Sequence, residues 1–214
     1  MLVAWQVDLD TLANNIGEPN LCNYLQHFLH NQLKSDTSSS PVFYLPDKIY
    51  VYSSTVATFY ALSDLCGSGG MCHECIHAVT SWRQGAPQYD CVFINTDDSE
   101  LGMHGLSVAW AKLFFTATMD CVKYSCALVH WYYLIGDSTD ECTGMWVVEP
   151  DILDDGTPWT AVIHLDSIVQ LAHLLPIYGE EWAPRGLNYT DSLDFFSENY
   201  VNKFADHHTF EITF

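Results

Sequence analysis

Short segments rich in aromatic and β-branched residues, separated by turns of Gly, Asp and Pro, limit most strongly what this chain can fold into. Such residues favour strands, and their regular spacing favours an antiparallel barrel or sandwich. The segments cover residues 42–45, 49–60, 89–95, 106–116, 122–133, 145–148 and 159–165. Segment 122–133 is apolar on both faces, which predicts a central strand, and Thr118 to Asp120 is the turn expected before it.

Two further segments have helical spacing. Leu21 to Leu33 carries apolar residues three and four positions apart, and Asp191 to Ala205 repeats that pattern after Thr190 or Asp191 as the N-cap. The sequence therefore predicts an α+β fold that is mostly antiparallel β. We expect a bent barrel, SH3-like or BAH-like, over Tyr89 to Pro176, flanked by N- and C-terminal helices.

A polar tract from Ser35 to Pro41 supplies the one plausible domain boundary. Its small polar side chains cannot bury apolar area, so the tract is predicted to be a linker. We expect an N-terminal helix and linker in residues 1–40. Residues 41–214 are expected to form a single β-rich domain with a C-terminal helix.

The charge narrows the classes of partner. The chain has 27 acidic and 7 basic side chains, a formal charge of -20. Nucleic-acid affinity depends largely on Lys and Arg, so we expect no direct nucleic-acid binding, and an anionic membrane surface is disfavoured for the same reason. The acidic start, Met1 to Asp10, is unlike a secretory signal, so an intracellular protein with reduced cysteines is expected.

A Cys- and His-rich string over residues 66–77 is the strongest local motif. Cys72-x-x-Cys75 has the spacing of a zinc-chelating turn, and Cys66 with His77 would complete a tetrahedral shell. All four ligands crowd into one short segment, whereas a second ligand pair usually lies about a dozen or more residues away. No cofactor is the primary prediction, and zinc held by Cys66, Cys72, Cys75 and His77 is the alternative.

Motifs for catalysis are weak. Asp206-His207-His208 matches a triplet of metal-dependent phosphoesterases, but no second acidic cluster follows an apolar strand, and a solvated helix end explains the triplet more simply. The glycine run 67–70 lacks the ending of a phosphate loop. We therefore assign no catalytic residues and predict that the chain is not an enzyme.

Ordered strings along most of the chain carry a family resemblance. The strings are Lys48–Ser54, Val56–Tyr60, Ser81–Arg83, Tyr89–Phe93, Tyr124–Trp131, Thr143–Val148, Val162–Asp166, Ala172–Gly179, Asp191–Asp194 and Tyr200–His208. From about Leu25 onward the chain resembles the C-terminal region of the transposase-type proteins of fungal Plavaka elements, relatives of the CACTA transposons. The resemblance implies a non-catalytic accessory domain, nuclear if functional, with a nuclease core upstream and an unknown protein partner.

This chain departs from that family pattern at positions where the family has arginine. Residues 71–77 read Met-Cys-His-Glu-Cys-Ile-His where the family has roughly Met-Arg-Arg-Glu-Arg-Ile-Arg, and Gln88, His104 and Trp110 follow the same rule. Single C-to-T transitions convert CGN arginine codons into Cys, His, Trp or Gln codons. We therefore hypothesise a decayed copy, whose intact relatives carry a basic segment at 71–77 suited to phosphate contact with DNA or chromatin.

Aromatic side chains cluster at Trp131-Tyr132-Tyr133, with Trp146 further on. Because aromatic residues usually bury, we expect these four to belong chiefly to the core. The alternative is that an exposed subset forms an aromatic cage for a methylated tail.

Overall fold

The computed structural model describes residues 4–33, 45–46, 48–61, 69–119, 121–179, 185–187 and 192–214. In chain order the elements are β1 (Trp5–Asp8), α1 (Leu9–Ile16), α2 (Leu21–Leu33), β2 (Lys48–Tyr52), β3 (Ser54–Tyr60), β4 (Met71–Val79), β5 (Gln88–Tyr89), β6 (Cys91–Asn95), β7 (Leu106–Met119), β8 (Val122–Leu134), β9 (Trp146–Pro150), β10 (Thr160–His164), β11 (Ile168–Leu171), β12 (Leu174–Pro176), α3 (Ser192–Phe195), β13 (Asn199–Val201) and α4 (His207–Ile212). The predicted fold class, α+β and mostly antiparallel, is confirmed.

A long hairpin, β7 and β8, organises the larger sheet of ten strands. It confirms the central strand expected from the sequence. The turn predicted at Thr118 to Asp120 is placed too early, because Thr118 and Met119 still pair with Lys123 and Val122, and residue 120 lies outside the described residues. The register shifts between Ala111 and Leu113, and such a bulge bends the strand that carries it. The sheet curls into a half barrel, while β3, β4 and β5 form a separate three-stranded sheet.

The predicted helix at 21–33 is confirmed as α2. Leu21, Leu25 and Leu29 recur at four-residue spacing and are fully buried. They belong to the same apolar cluster as Leu113 and Phe115 of the hairpin, so this helix packs against the sheet. Within the described residues, none of the helices is long and apolar enough to cross a membrane. The tract 35–41 lies outside the described residues, and the division at residue 40 stays a prediction.

The helix predicted from Asp191 to Ala205 is wrong over most of its length. Only α3 is helical there, and the proposed caps at 190 and 191 lie outside the described residues. Residues 199–201 form β13 instead, which pairs with β9 on one side and β12 on the other. Tyr200 and Val201 favour strands, and pairing on both sides outweighs the helical spacing of the apolar residues.

Candidate functional site

The Cys- and His-rich segment forms strand β4 from Met71 onward, so Cys72 to Cys75 is a strand and not the chelating turn expected from its sequence. Successive side chains of a strand point to opposite faces, so Cys72 and Cys75 lie on opposite faces of β4. Cys72 shares its face with Ile76, which is fully buried, whereas the exposed Cys75 shares the outer face with His77. Cys66 lies outside the described residues. Of the four predicted zinc ligands, the structure therefore brings together Cys75 and His77.

On the outer face of β4, three side chains form a thiol–imidazole–carboxylate cluster. Cys75 Sγ lies 3.5 Å from His77 Nε2, and His77 Nδ1 lies 3.0 Å from Asp90 Oδ2. The backbone N–H of His77 also donates to Asp90 Oδ2, at 2.7 Å, and Gln88 Nε2 donates to Asp90 Oδ1, at 3.2 Å. Trp82 packs edge-on against the imidazole, with ring centroids 4.2 Å apart. These contacts fix the ring of His77.

The connectivity of this cluster matches that of a nucleophile, a base and an orienting carboxylate. When Nδ1–H of His77 donates to Asp90, Nε2 is left to accept the proton of the Cys75 thiol. The cluster is not predicted from the sequence because Asp90 lies beyond the turn that links β4 to β5. The one local signal was the i, i+2 spacing of Cys75 and His77, which places both on one face of a strand.

The inner face of β4 carries a second polar group, Glu74. Its Oε2 accepts a hydrogen bond from the backbone N–H of Leu171 in β11, at 3.0 Å. Burial raises the pKa of Glu74 above its ordinary value, and the nearby Asp206 raises it further, whereas the Leu171 bond, His173 and His208 lower it. Glu74 thus links β4 electrostatically to the triplet at 206–208.

That triplet begins helix α4, whereas the sequence analysis placed it at a helix end. Asp206 is the N-cap, and its two carboxylate oxygens accept from Thr209 N, at 2.7 Å, and from Thr209 Oγ1, at 2.6 Å. His208 contacts the Gln170 side chain and stacks on Phe59 at 4.6 Å, while His207 is exposed. Asp206 and His208 therefore both lie near Glu74, whereas His207 is exposed, and the structure does not gather all three residues into one group.

No group of three or more His, Cys, Asp or Glu side chains is arranged to hold a metal ion within the described residues. Comparisons with protein-family models, with curated proteins and with solved structures give no match. The fold and the two faces of β4 therefore have to be interpreted from their own geometry.

Proposed function

We propose that the chain is a non-catalytic accessory domain of a transposon-derived protein similar to the C-terminal regions of Plavaka proteins, and that the outer face of β4 is its ancestral partner-binding surface. The observation that carries this proposal is the alignment of positions 73, 75 and 77 on that face, at each of which the family pattern has arginine. Same-face neighbours on a strand are about 6.6–6.8 Å apart. Three arginines there would form a straight cationic stripe suited to a phosphate backbone.

The groups around position 77 agree with an ancestral arginine. Asp90 contacts both His77 and Gln88, and the family pattern has arginine at each of these two positions. A carboxylate between two arginines makes charge-assisted hydrogen bonds, which are about twice as strong as neutral ones. The guanidinium carbon of Arg83, one of two arginines in the chain, lies 5.3 Å from the ring centroid of Trp82, and Trp82 packs against His77. One cation therefore remains in the surroundings of His77.

The present copy is expected to bind a protein partner, because its charge of -20 opposes direct contact with nucleic acid. DNA or chromatin contact belongs to the intact relatives in this proposal. The domain acts inside the cell, in the nucleus if it is functional, and it catalyses no reaction.

Restoring the stripe tests the proposal. At low salt, the triple variant His73→Arg, Cys75→Arg, His77→Arg should bind a short DNA duplex more tightly than the parent chain in fluorescence anisotropy, because the added charges lie together although the net charge stays strongly negative. Each phosphate contact contributes about -0.9 to the slope of log affinity against log salt. An arginine at 77 pairs with Asp90, so the two free arginines, at 73 and 75, predict a slope of about -1.8.

A matched control separates the position of the charges from their number. The variant Leu101→Arg, Val122→Arg, Leu175→Arg adds three charges at positions that are 77%, 50% and 42% exposed, on other parts of the surface. It should bind no better than the parent. Equal binding by both variants, or binding by neither, would contradict the proposed stripe.

Zinc binding is a second candidate function, favoured by one contact. The distance of 3.5 Å between Cys75 Sγ and His77 Nε2 places a thiol beside an imidazole, and both are zinc ligands. Cys66 and Cys72 would have to supply the remaining ligands, and because Cys72 lies on the opposite face of β4 from Cys75, zinc binding would require this strand to rearrange. Elemental analysis discriminates the two functions, because stoichiometric zinc that is lost in Cys72→Ser would favour the zinc module.

A further inference from the structure

A cleft of about 340 Å³ opens beside β8, lined by aromatic rings from two parts of the chain. The tilted rings of Trp131 and Trp159 pack side by side, with centroids 6.0 Å apart and planes inclined at 38°. Trp159 is 49% exposed and Tyr133 is 45% exposed, although both line the cleft. The other two aromatic residues singled out in the sequence, Tyr132 and Trp146, are buried. Trp131, Trp159 and Tyr133 therefore form an aromatic wall of the cleft that solvent partly reaches.

Three backbone hydrogen bonds hold the cleft together. Trp131 N donates to Trp159 O at 3.0 Å, Trp159 N donates to Asp151 O at 2.7 Å, and Asp151 N donates to Trp131 O at 2.9 Å. The backbone segments that carry the two indoles and Asp151 are therefore joined without a ligand. Binding to such a preorganised site loses little conformational entropy.

Asp151 also lines the cleft and gives it a charge. Among the described residues, no hydrogen bond or ion pair engages its carboxylate. The chain as a whole carries a charge of -20, which attracts basic partners and repels acidic ones. A cation that enters the cleft would meet both the rings and the carboxylate.

We propose that this cleft binds a methylated ammonium group, the trimethyl-lysine side chain of a basic peptide. Indole and phenol faces attract cations, and aromatic boxes are suited to quaternary ammonium groups. An unmodified lysine ammonium is compact and strongly hydrated, so moving it out of water costs more free energy than moving a trimethylammonium group. The cleft shares no residue with β4, and the inference therefore stands independently of the proposed function.

Calorimetric titration of the unaltered chain tests the ligand class. The probes are a short basic peptide with one trimethyl-lysine, the same peptide with unmodified lysine, and a third with the neutral tert-butyl isostere. The trimethylated peptide should bind about tenfold more tightly than the isostere, since only the charged form gains from the rings and Asp151. Equal affinity for the isostere, or no binding of the trimethylated peptide, would overturn the proposal.

Substitutions locate the site. Trp159→Ala should weaken binding of the trimethylated peptide about tenfold. Asp151→Asn should reduce the ratio of the affinities for the trimethylated peptide and for the tert-butyl isostere. Trp5→Ala is the matched control, because Trp5 is 43% exposed and lies outside the cleft. If Trp159→Ala does not fold, Asp151→Asn with its intact rings still decides the question. Unchanged preference in Asp151→Asn, or an equal loss of affinity in Trp5→Ala, would contradict the assignment.

Discussion

Glu74 is a charged residue on the partly buried inner face of β4. It lies on the inner face of the strand and is half-buried, with its carboxylate held by the Leu171 amide. Burial raises the pKa of this carboxyl, so the folded chain retains the proton to a higher pH than the unfolded chain does. Ionising Glu74 therefore reduces the free energy of unfolding as the pH rises above about 4.3, the ordinary glutamate pKa.

We predict that Glu74→Gln removes this pH dependence. The amide oxygen of glutamine can still accept the Leu171 hydrogen bond, and no charge has to be buried. The free energy of unfolding of the variant, relative to the parent, should be greater at about pH 7 than at about pH 4. Denaturant unfolding at both pH values measures this. A difference between variant and parent that is the same at both would contradict the sign deduced for Glu74.

At the scale of the element, the six-residue helix α4 depends on its cap. The Asp206 carboxylate accepts hydrogen bonds from the backbone N–H and the hydroxyl of Thr209, which is fully buried. So short a helix has marginal stability by itself, and its first turn needs a partner for its free N–H groups.

Asp206→Ala should therefore lower the free energy of unfolding by about 1 kcal/mol. Asp206→Asn keeps an oxygen acceptor and should cost less. Urea unfolding with an unchanged slope checks both values. A loss in Asp206→Asn as large as that in Asp206→Ala would indicate that the charge of Asp206, and not its capping bond, matters.

The elements that the sequence predicted are those defined by local spacing. The strands predicted at 106–116 and 122–133 follow from their aromatic and β-branched residues, and the helix over 21–33 follows from apolar spacing of three and four residues. The strand 199–201 was missed because its pairing with β9 and β12 joins distant parts of the chain. Asp90 was missed because the turn before it contains Arg83 and Gln84 at φ 49° and 64°, a conformation that those residue types do not signal.

At the scale of the whole molecule, part of the excess of acid lies in turns. Asp97, Asp140 and Asp155 each accept hydrogen bonds from a residue two or three positions later, which lowers the pKa of each carboxyl. These are local turn contacts of the kind that Asp commonly makes. The negative net charge therefore reflects the small number of Lys and Arg residues at least as much as any anionic binding site. That small number agrees with the proposed loss of arginines.

We propose above all that the cysteines and histidines of β4 replaced arginines. Sequencing the gene beside sister copies in the same genome tests this replacement. We expect CGN arginine codons in the sister copies at 72, 73, 75, 77, 88, 104 and 110, with CGN-to-TGN or CGN-to-CAN transitions dominating the differences. A random spectrum of substitutions, or sister copies that also encode Cys and His at these positions, would contradict it.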